Sequence, residues 1–181
     1  MADRPLALVL TAPGINCDDE LCEAFDLAGA ESRRIHINRL AADPSQLDQA
    51  SLIGLPGGFS YGDAVAAGRI AAQLIRAHLW DALRRAVDRG VPMIAPCNGF
   101  QIAVQAGLLP GPVAGTEWPV SPSASEVALV DNESARFIDR WVRVSYPVNT
   151  TCIWTKGIES SPEASLLPIA HGEGRFIAGG R

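Results

Sequence analysis

The chain alternates short, unbroken apolar runs with longer stretches whose apolar residues recur every three or four positions. LALVL, at 6–10, has no polar alternation, which predicts a strand buried on both faces of a parallel sheet. The loop TAPGINC follows, with Pro13 and Gly14 as turn residues. Asp18 and Asp19 open a predicted helix, their charge suited to a first turn; Leu21, Ala24, Phe25 and Ala28 keep helical spacing, and Gly29 ends it. SRRIHI (32–37) and SLIGL (51–55) predict the second and third strands. Within 64–89, Ile75, Leu79, Ala82, Leu83 and Ala86 form one stripe, while Arg76, Arg84, Arg85 and Asp88 fall outside it. This predicts a long helix capped by Gly90, then a strand at VPMIA (91–95) and a helix over 98–107. Strands alternating with helices predict an α/β domain, a mainly parallel sheet flanked by helices.

Beyond Pro110 the texture changes. Residues 110–125 are rich in Pro, Gly and Ser and read as loop. SEVALV (125–130) and RWVRVSY (140–146) predict strands, with Val142, Val144 and Tyr146 on one face. The final HGEGRFIAGGR predicts neither a closing helix nor a closing strand. With no internal repeat and no domain-sized linker, a single domain over 1–181 is expected.

Composition narrows the classes. The 181 residues are 48% hydrophobic, enough for a sizeable core. No apolar run approaches the ~20 residues that cross a bilayer, so no membrane partner is expected. The opening MADRPLALVL lacks a cleavage site and reads as a first strand, not a signal peptide. A net charge of -5 argues against a nucleic-acid partner. Cys17, Cys22, Cys97 and Cys152 form no paired CxxC, so no metal site is expected; reduced thiols in the cytoplasm are the default.

The chemistry concentrates at MIAPCNGFQIA (93–103). Cys97 stands where a strand gives way to a helix. A sharp turn there exposes a side chain at the carboxyl end of the sheet, where open α/β folds bind ligands. The positive end of the following helix favours a thiolate. The amide of Asn98 is placed to donate to a developing oxyanion, and Gly99 permits close backbone packing. A small hydrophobe closing a buried strand fits the same position, and the residues alone leave both roles open.

LPGGFSYGD adds a second strand end. Gly57 and Gly58 leave the backbone bare there, so amides can approach a ligand; alone, the pair reads as a glycine turn. Beside an activated cysteine it supplies what acyl transfer needs. Gln101, one helical turn beyond Cys97, is placed either to hold a polar substrate or to face solvent.

Taken together, APGINCD, LPGGFSYGD, CNGFQ, AGLLPG and AHGEGRF resemble the class I (triad) glutamine amidotransferases, specifically the glutaminase subunits of phosphoribosylformylglycinamidine synthase. The resemblance runs from near residue 6 to residue 177, and GGFSYGD and CNGFQ are its most specific parts. It implies a flavodoxin-like fold and hydrolysis of glutamine to glutamate and ammonia. The ammonia would pass to a synthetase subunit carrying ATP and Mg, in a complex with room for a small accessory subunit; this chain itself would hold no cofactor. By resemblance Cys97 is the nucleophile, Gly58 and Asn98 give oxyanion amides with Gly57 in the same loop, and Gln101 contacts glutamine.

Two departures stand out. Pro96 precedes the cysteine where the family commonly has a β-branched residue, a change that the end of a strand accommodates. The family's base comes from a His-Pro-x-Glu motif far downstream of HGEGRF, and no His-Pro pair occurs here. The expectation is therefore a glutamine amidotransferase domain lacking its C-terminal segment, with little turnover as written. His36, in a strand, and His78, on the long helix, read as structural or solvated; His171 with Glu173 imitates the missing spacing and is the one local candidate for the base. Two other functions stay open. One is a non-catalytic binding subunit of the same complex. The other is a cysteine hydrolase or chaperone-like protein of related fold, against which GGFSYGD argues.

Overall fold

The apolar run at 6–10 becomes β1 (Leu6–Thr11), with Ala7, Leu8, Val9 and Leu10 all buried. β1 lies between β2 (Glu31–His36) and β3 (Leu52–Gly54), and β4 (Met93–Ile94) completes a sheet ordered β2–β1–β3–β4. Every pairing in it is parallel, and Val9 stands between Arg34 and Gly54. The computed structural model, which describes residues 4–113, 115–122, 126–158 and 161–179, thus has the expected α/β architecture.

Each face of the sheet is covered for a sequence reason. α1 (Asp18–Leu27) begins with Asp18, Asp19 and Glu20 and buries Phe25. A Cβ at Gly54 would meet Leu21 and Phe25, so Val9, its register partner, also faces α1. Leu8, Leu10, Ile53 and Leu55 point the other way, into a core with Ile75, Leu79, Leu83, Ile102, Ala103 and Ala106. The helix expected within 64–89 begins only at Arg69. Tyr61, Asp63, Val65 and Gly68 all have positive φ, which no α-helix accepts. It runs as α3 (Arg69–Leu74), a π-turn (Ile75–Leu79) and α4 (Trp80–Asp88). The predicted stripe survives the extra residue of the π-turn, for Ile75, Leu79, Ala82, Leu83 and Ala86 are all buried. α5 (Asn98–Ala106) ends at Gly107 in the left-handed region.

Short elements escaped the sequence reading. α2 (Ile37–Ala42) starts where a strand extending to residue 37 was expected; His36 ends β2 and caps α2, its Nδ1 accepting from Asn38 N. A 3₁₀ turn (Pro44–Gln49) follows. Among the described residues of the expected loop at 110–125, no helix or strand occurs; Ala114 and residues 123–125 lie outside them, and so does the first residue of the strand expected at 125–130, which is β5 (Val127–Val130). The strand expected at 140–146 is β6 (Ile138–Arg143). Beyond it Val144 N still donates to Ser165 O, and Val142, Val144 and Tyr146 are half-buried between exposed neighbours, as period 2 requires.

The expectation of no closing strand is corrected. β8 (Arg175–Ala178) pairs with β5, and β7 (Leu166–His171) pairs antiparallel with β6. Both strands are fixed by partners distant in sequence, not by local alternation. Of the closing glycines, Gly180 lies outside the described residues, as does Arg181.

The chain forms two compact units. The first runs to Ala128 and is rejoined from Ala178; the second is Leu129–Ile177. The second is organised on buried Asn132, whose Nδ2 donates to Arg136 O and His171 O while its Oδ1 accepts from Gly174 N.

Candidate active site

Three loops of the first unit meet at the carboxyl ends of β1, β3 and β4. The last carries Cys97, exposed, at φ 51° and ψ -118°. Such a conformation strains any residue but glycine, and it turns the chain from β4 into α5 within the three residues 95–97. The turn is held by Gly99 N donating to Pro96 O and by Phe100 N and Gln101 N donating to Cys97 O. Its tightness depends on Gly99, where a Cβ would collide with the Leu55 carbonyl at the end of the β3 segment. Asn98 is the first residue of α5, and its N–H donates to no acceptor among the described residues, as expected of a first-turn amide.

The second loop is LPGGFSYGD. Gly58 has φ 140°, and a Cβ there would stand 2.7 Å from Asn16 N and Ile15 Cα. Only glycine fits, because Gly58 forms an antiparallel bridge with Ile15. Cys17 N donates to Gly57 O (3.3 Å), Phe59 N to Gly14 O (2.8 Å) and Tyr61 N to Pro13 O (2.6 Å). The Gly58 N–H has no described acceptor. Gly57 touches the thiol region directly: a Cβ on it would lie 3.2 Å from Cys97 Cβ and 3.6 Å from Cys17 Sγ.

The structure therefore brings together Cys97, Gly57, Gly58 and Asn98, read from the sequence as separate strand ends. Gln101 joins them differently, its Oε1 accepting from Asn98 Nδ2 (3.0 Å). The sequence reading missed Cys17 as a neighbour of Cys97. Cys17 is an exposed residue, yet partial desolvation of its thiol, then Glu20, Cys97 and Asp18, push it above the ordinary thiol range. It also missed the side chains of Asn98 and Asp63. Asn98 is almost fully buried, accepts from Ser60 N on Oδ1 (3.1 Å) and donates to Asp63 Oδ1 (3.1 Å). The only signal available was the placing of both residues inside the two most specific motifs.

The histidines divide. His36 caps α2, and His78 is exposed on the π-turn. His171 closes β7 in the second unit, with Nδ1 2.9 Å from Asn132 Oδ1 and its ring packed on Gly174. Asn132 turns its amide nitrogen to two carbonyls, so its Oδ1 accepts and the His171 ring carries its proton on Nδ1. Among the described residues no group of three His, Cys, Asp or Glu side chains is arranged to hold a metal ion, and no helix is long and apolar enough to cross a membrane.

An exposed, strained strand-to-helix cysteine beside a glycine loop, with two nearby amides that meet no acceptor among the described residues, is the equipment of an acyl-transferring thiol enzyme. The chain belongs to the CobB/CobQ-like glutamine amidotransferase domain family, whose model matches residues 4–180. Within that class it is similar to subunits named PurQ of phosphoribosylformylglycinamidine synthase. It is 40% identical to that of Dehalococcoides mccartyi over 94% of this chain and 62% of the relative. It is 39% identical to that of Pyrobaculum aerophilum over 95% of this chain and 69% of the relative. A solved structure of PurLQS from Thermotoga maritima matches with a TM-score of 0.64 and 32% identity, covering 97% of this chain and 70% of that one. The chain spans 60–64% of the first three curated relatives it matches.

Proposed function

We propose that the chain is the glutaminase part of a phosphoribosylformylglycinamidine synthase. It would hydrolyse glutamine to glutamate and ammonia and hand the ammonia to a synthetase subunit. That partner, using ATP and Mg, would make the amidine of formylglycinamide ribonucleotide, with a small accessory subunit completing the assembly. The observation that carries the reading is Cys97 at φ 51° beside Gly57, with the N–H groups of Gly58 and Asn98 left without acceptors among the described residues.

In this reading Cys97 Sγ attacks the side-chain carbonyl carbon of glutamine. The carbonyl electrons move to oxygen, and that oxyanion accepts from Gly58 N–H and Asn98 N–H. Collapse re-forms the carbonyl and expels the protonated amine as ammonia, leaving a γ-glutamyl thioester. Water then attacks the thioester, releasing glutamate and the thiol. Gln101, steadied by Asn98, is proposed to contact the substrate. The proton carrier in the family pattern is the histidine of His-Pro-x-Glu, a pair this sequence does not contain. A cytoplasmic setting, which keeps thiols reduced, suits the four free cysteines.

The test is the assembled complex carrying Cys97→Ala. Glutamine-dependent amidine synthesis should vanish, while synthesis from added ammonia should persist. Equal loss of both activities in a complex that still assembles would overturn the proposal.

A further inference from the structure

The two oxyanion amides belong to different loops, and something must hold them at a fixed separation. The β1–α1 loop grips the glycine loop from one side through the bonds to Gly14, Pro13 and Cys17. From the other side Asn98 acts as a clip. Asn98 Oδ1 accepts from Ser60 N, and Asn98 Nδ2 donates to Asp63 Oδ1, so one side chain spans both ends of the turn at 60–63. That turn is strained, with Tyr61 at φ 55° and Asp63 at φ 51°. The same Asp63 oxygen accepts from Gly68 N (3.2 Å), tying the turn to the start of α3. Asn98 and Ser60 are each 1% exposed, so water does not compete for the bond between them, while Asp63 reaches Asn98 from a half-buried position.

We propose that Asp63 is a positioning residue for the oxyanion site, acting through the side chain of Asn98. Asn98 presents one donor through its backbone and sets the place of the other, Gly58, through its side chain. Asp63 helps to fix that side chain's orientation: a carboxylate oxygen only accepts, so with Gln101 Oε1 it draws Nδ2 to its side, while Ser60 N, which only donates, takes Oδ1. Without Asp63 the side-chain amide keeps only Ser60 N and Gln101 Oε1 as partners, and the turn at 60–63 loses one of its two bonds to α5 together with its tie to Gly68 N. This inference rests on the glutaminase reading.

The test compares two reagents on Cys97 in the full-length protein. A chloroketone analogue of glutamine passes through a tetrahedral oxyanion, whereas iodoacetamide alkylates the thiol by direct displacement and needs none. In Asp63→Ala the chloroketone rate should fall about 10-fold or more, below the ~10²–10³ of a donor lost outright, while the iodoacetamide rate at Cys97 stays within about twofold. Asp63→Asn keeps an acceptor oxygen and should restore most of the chloroketone rate. Unchanged chloroketone labelling in Asp63→Ala would overturn the inference, since the β1–α1 bonds would then suffice. Parallel loss with both reagents would overturn it too, because the clip would be serving the thiol or the fold. The glutaminase reading fails separately: there, glutamine would give the unsubstituted protein no protection against the chloroketone, and the inference would fall with it.

Discussion

Four free thiols in four environments make cysteine reactivity the sharpest residue-scale test. Burial pushes the thiols of Cys17 and Cys22 up, outweighing for Cys22 the hydrogen bond from Ser32 and the charge of Arg34. The hydrogen bond to Thr155, then that of the Trp154 backbone, holds exposed Cys152 below the ordinary range. A lowered value means the thiolate forms at lower pH; a raised one delays it. Iodoacetamide should therefore reach Cys152 before Cys17 and Cys22 near neutrality, the latter two gaining only as pH rises. A glutamine-like chloroketone should invert this, marking Cys97 first, because recognition rather than ionisation then governs. Peptide mapping across a pH series reads both patterns, and Cys97 untouched by the chloroketone while the other three react would contradict the proposed nucleophile.

At the scale of elements, the β4–α5 junction separates site from core. Gly99→Ala drives a methyl into the Leu55 carbonyl, a backbone atom that cannot move aside alone. Overpacking of this kind costs ~1–3 kcal/mol or more. Urea unfolding should register that loss, and chloroketone labelling should slow as Cys97 leaves its strained conformation. Leu83→Ala makes the contrast. Leu83 is fully buried in α4, away from the three loops, and its truncation should cost about 2–5 kcal/mol. Labelling of Cys97 in the folded variant should stay at the original rate. If Leu83→Ala slowed labelling as much as Gly99→Ala, the junction would have no special part in placing the thiol.

For the whole molecule, the division into two units gives the second its own weak point. Asn132 is 5% exposed and satisfies two carbonyls, one N–H and the His171 ring. Asn132→Ala strands these groups, at ~1–3 kcal/mol for each one left buried and unpaired. Hydrogen exchange should find protection lost first across 129–177, with β1 and β3 still protected. Uniform loss through both units would mean that they unfold as one. His171→Ala should act the same way on a smaller scale and leave chloroketone labelling of Cys97 intact. Labelling that disappeared with His171 would instead make that residue part of the chemistry.

The sequence by itself determined the parallel α/β architecture, because a strand buried on both faces and a helix with one apolar stripe are written in residues next to one another. It also marked CNGFQ and GGFSYGD as the chemistry-bearing stretches, since a cysteine before a helix and paired glycines after a strand have few other uses in combination. Tertiary structure alone decided what those stretches do to each other. The bonds from Asn98 to Ser60 and Asp63 cross 38 and 35 residues, and no local pattern encodes a contact at that range. The same holds for Cys17 beside Gly57 and for β8, whose strand conformation is set by β5 rather than by its own alternation. The late start of α3 has the same origin. Positive φ at Tyr61 and Asp63 is unfavourable locally and persists because bonds from Asn98, distant in sequence, hold the turn in place.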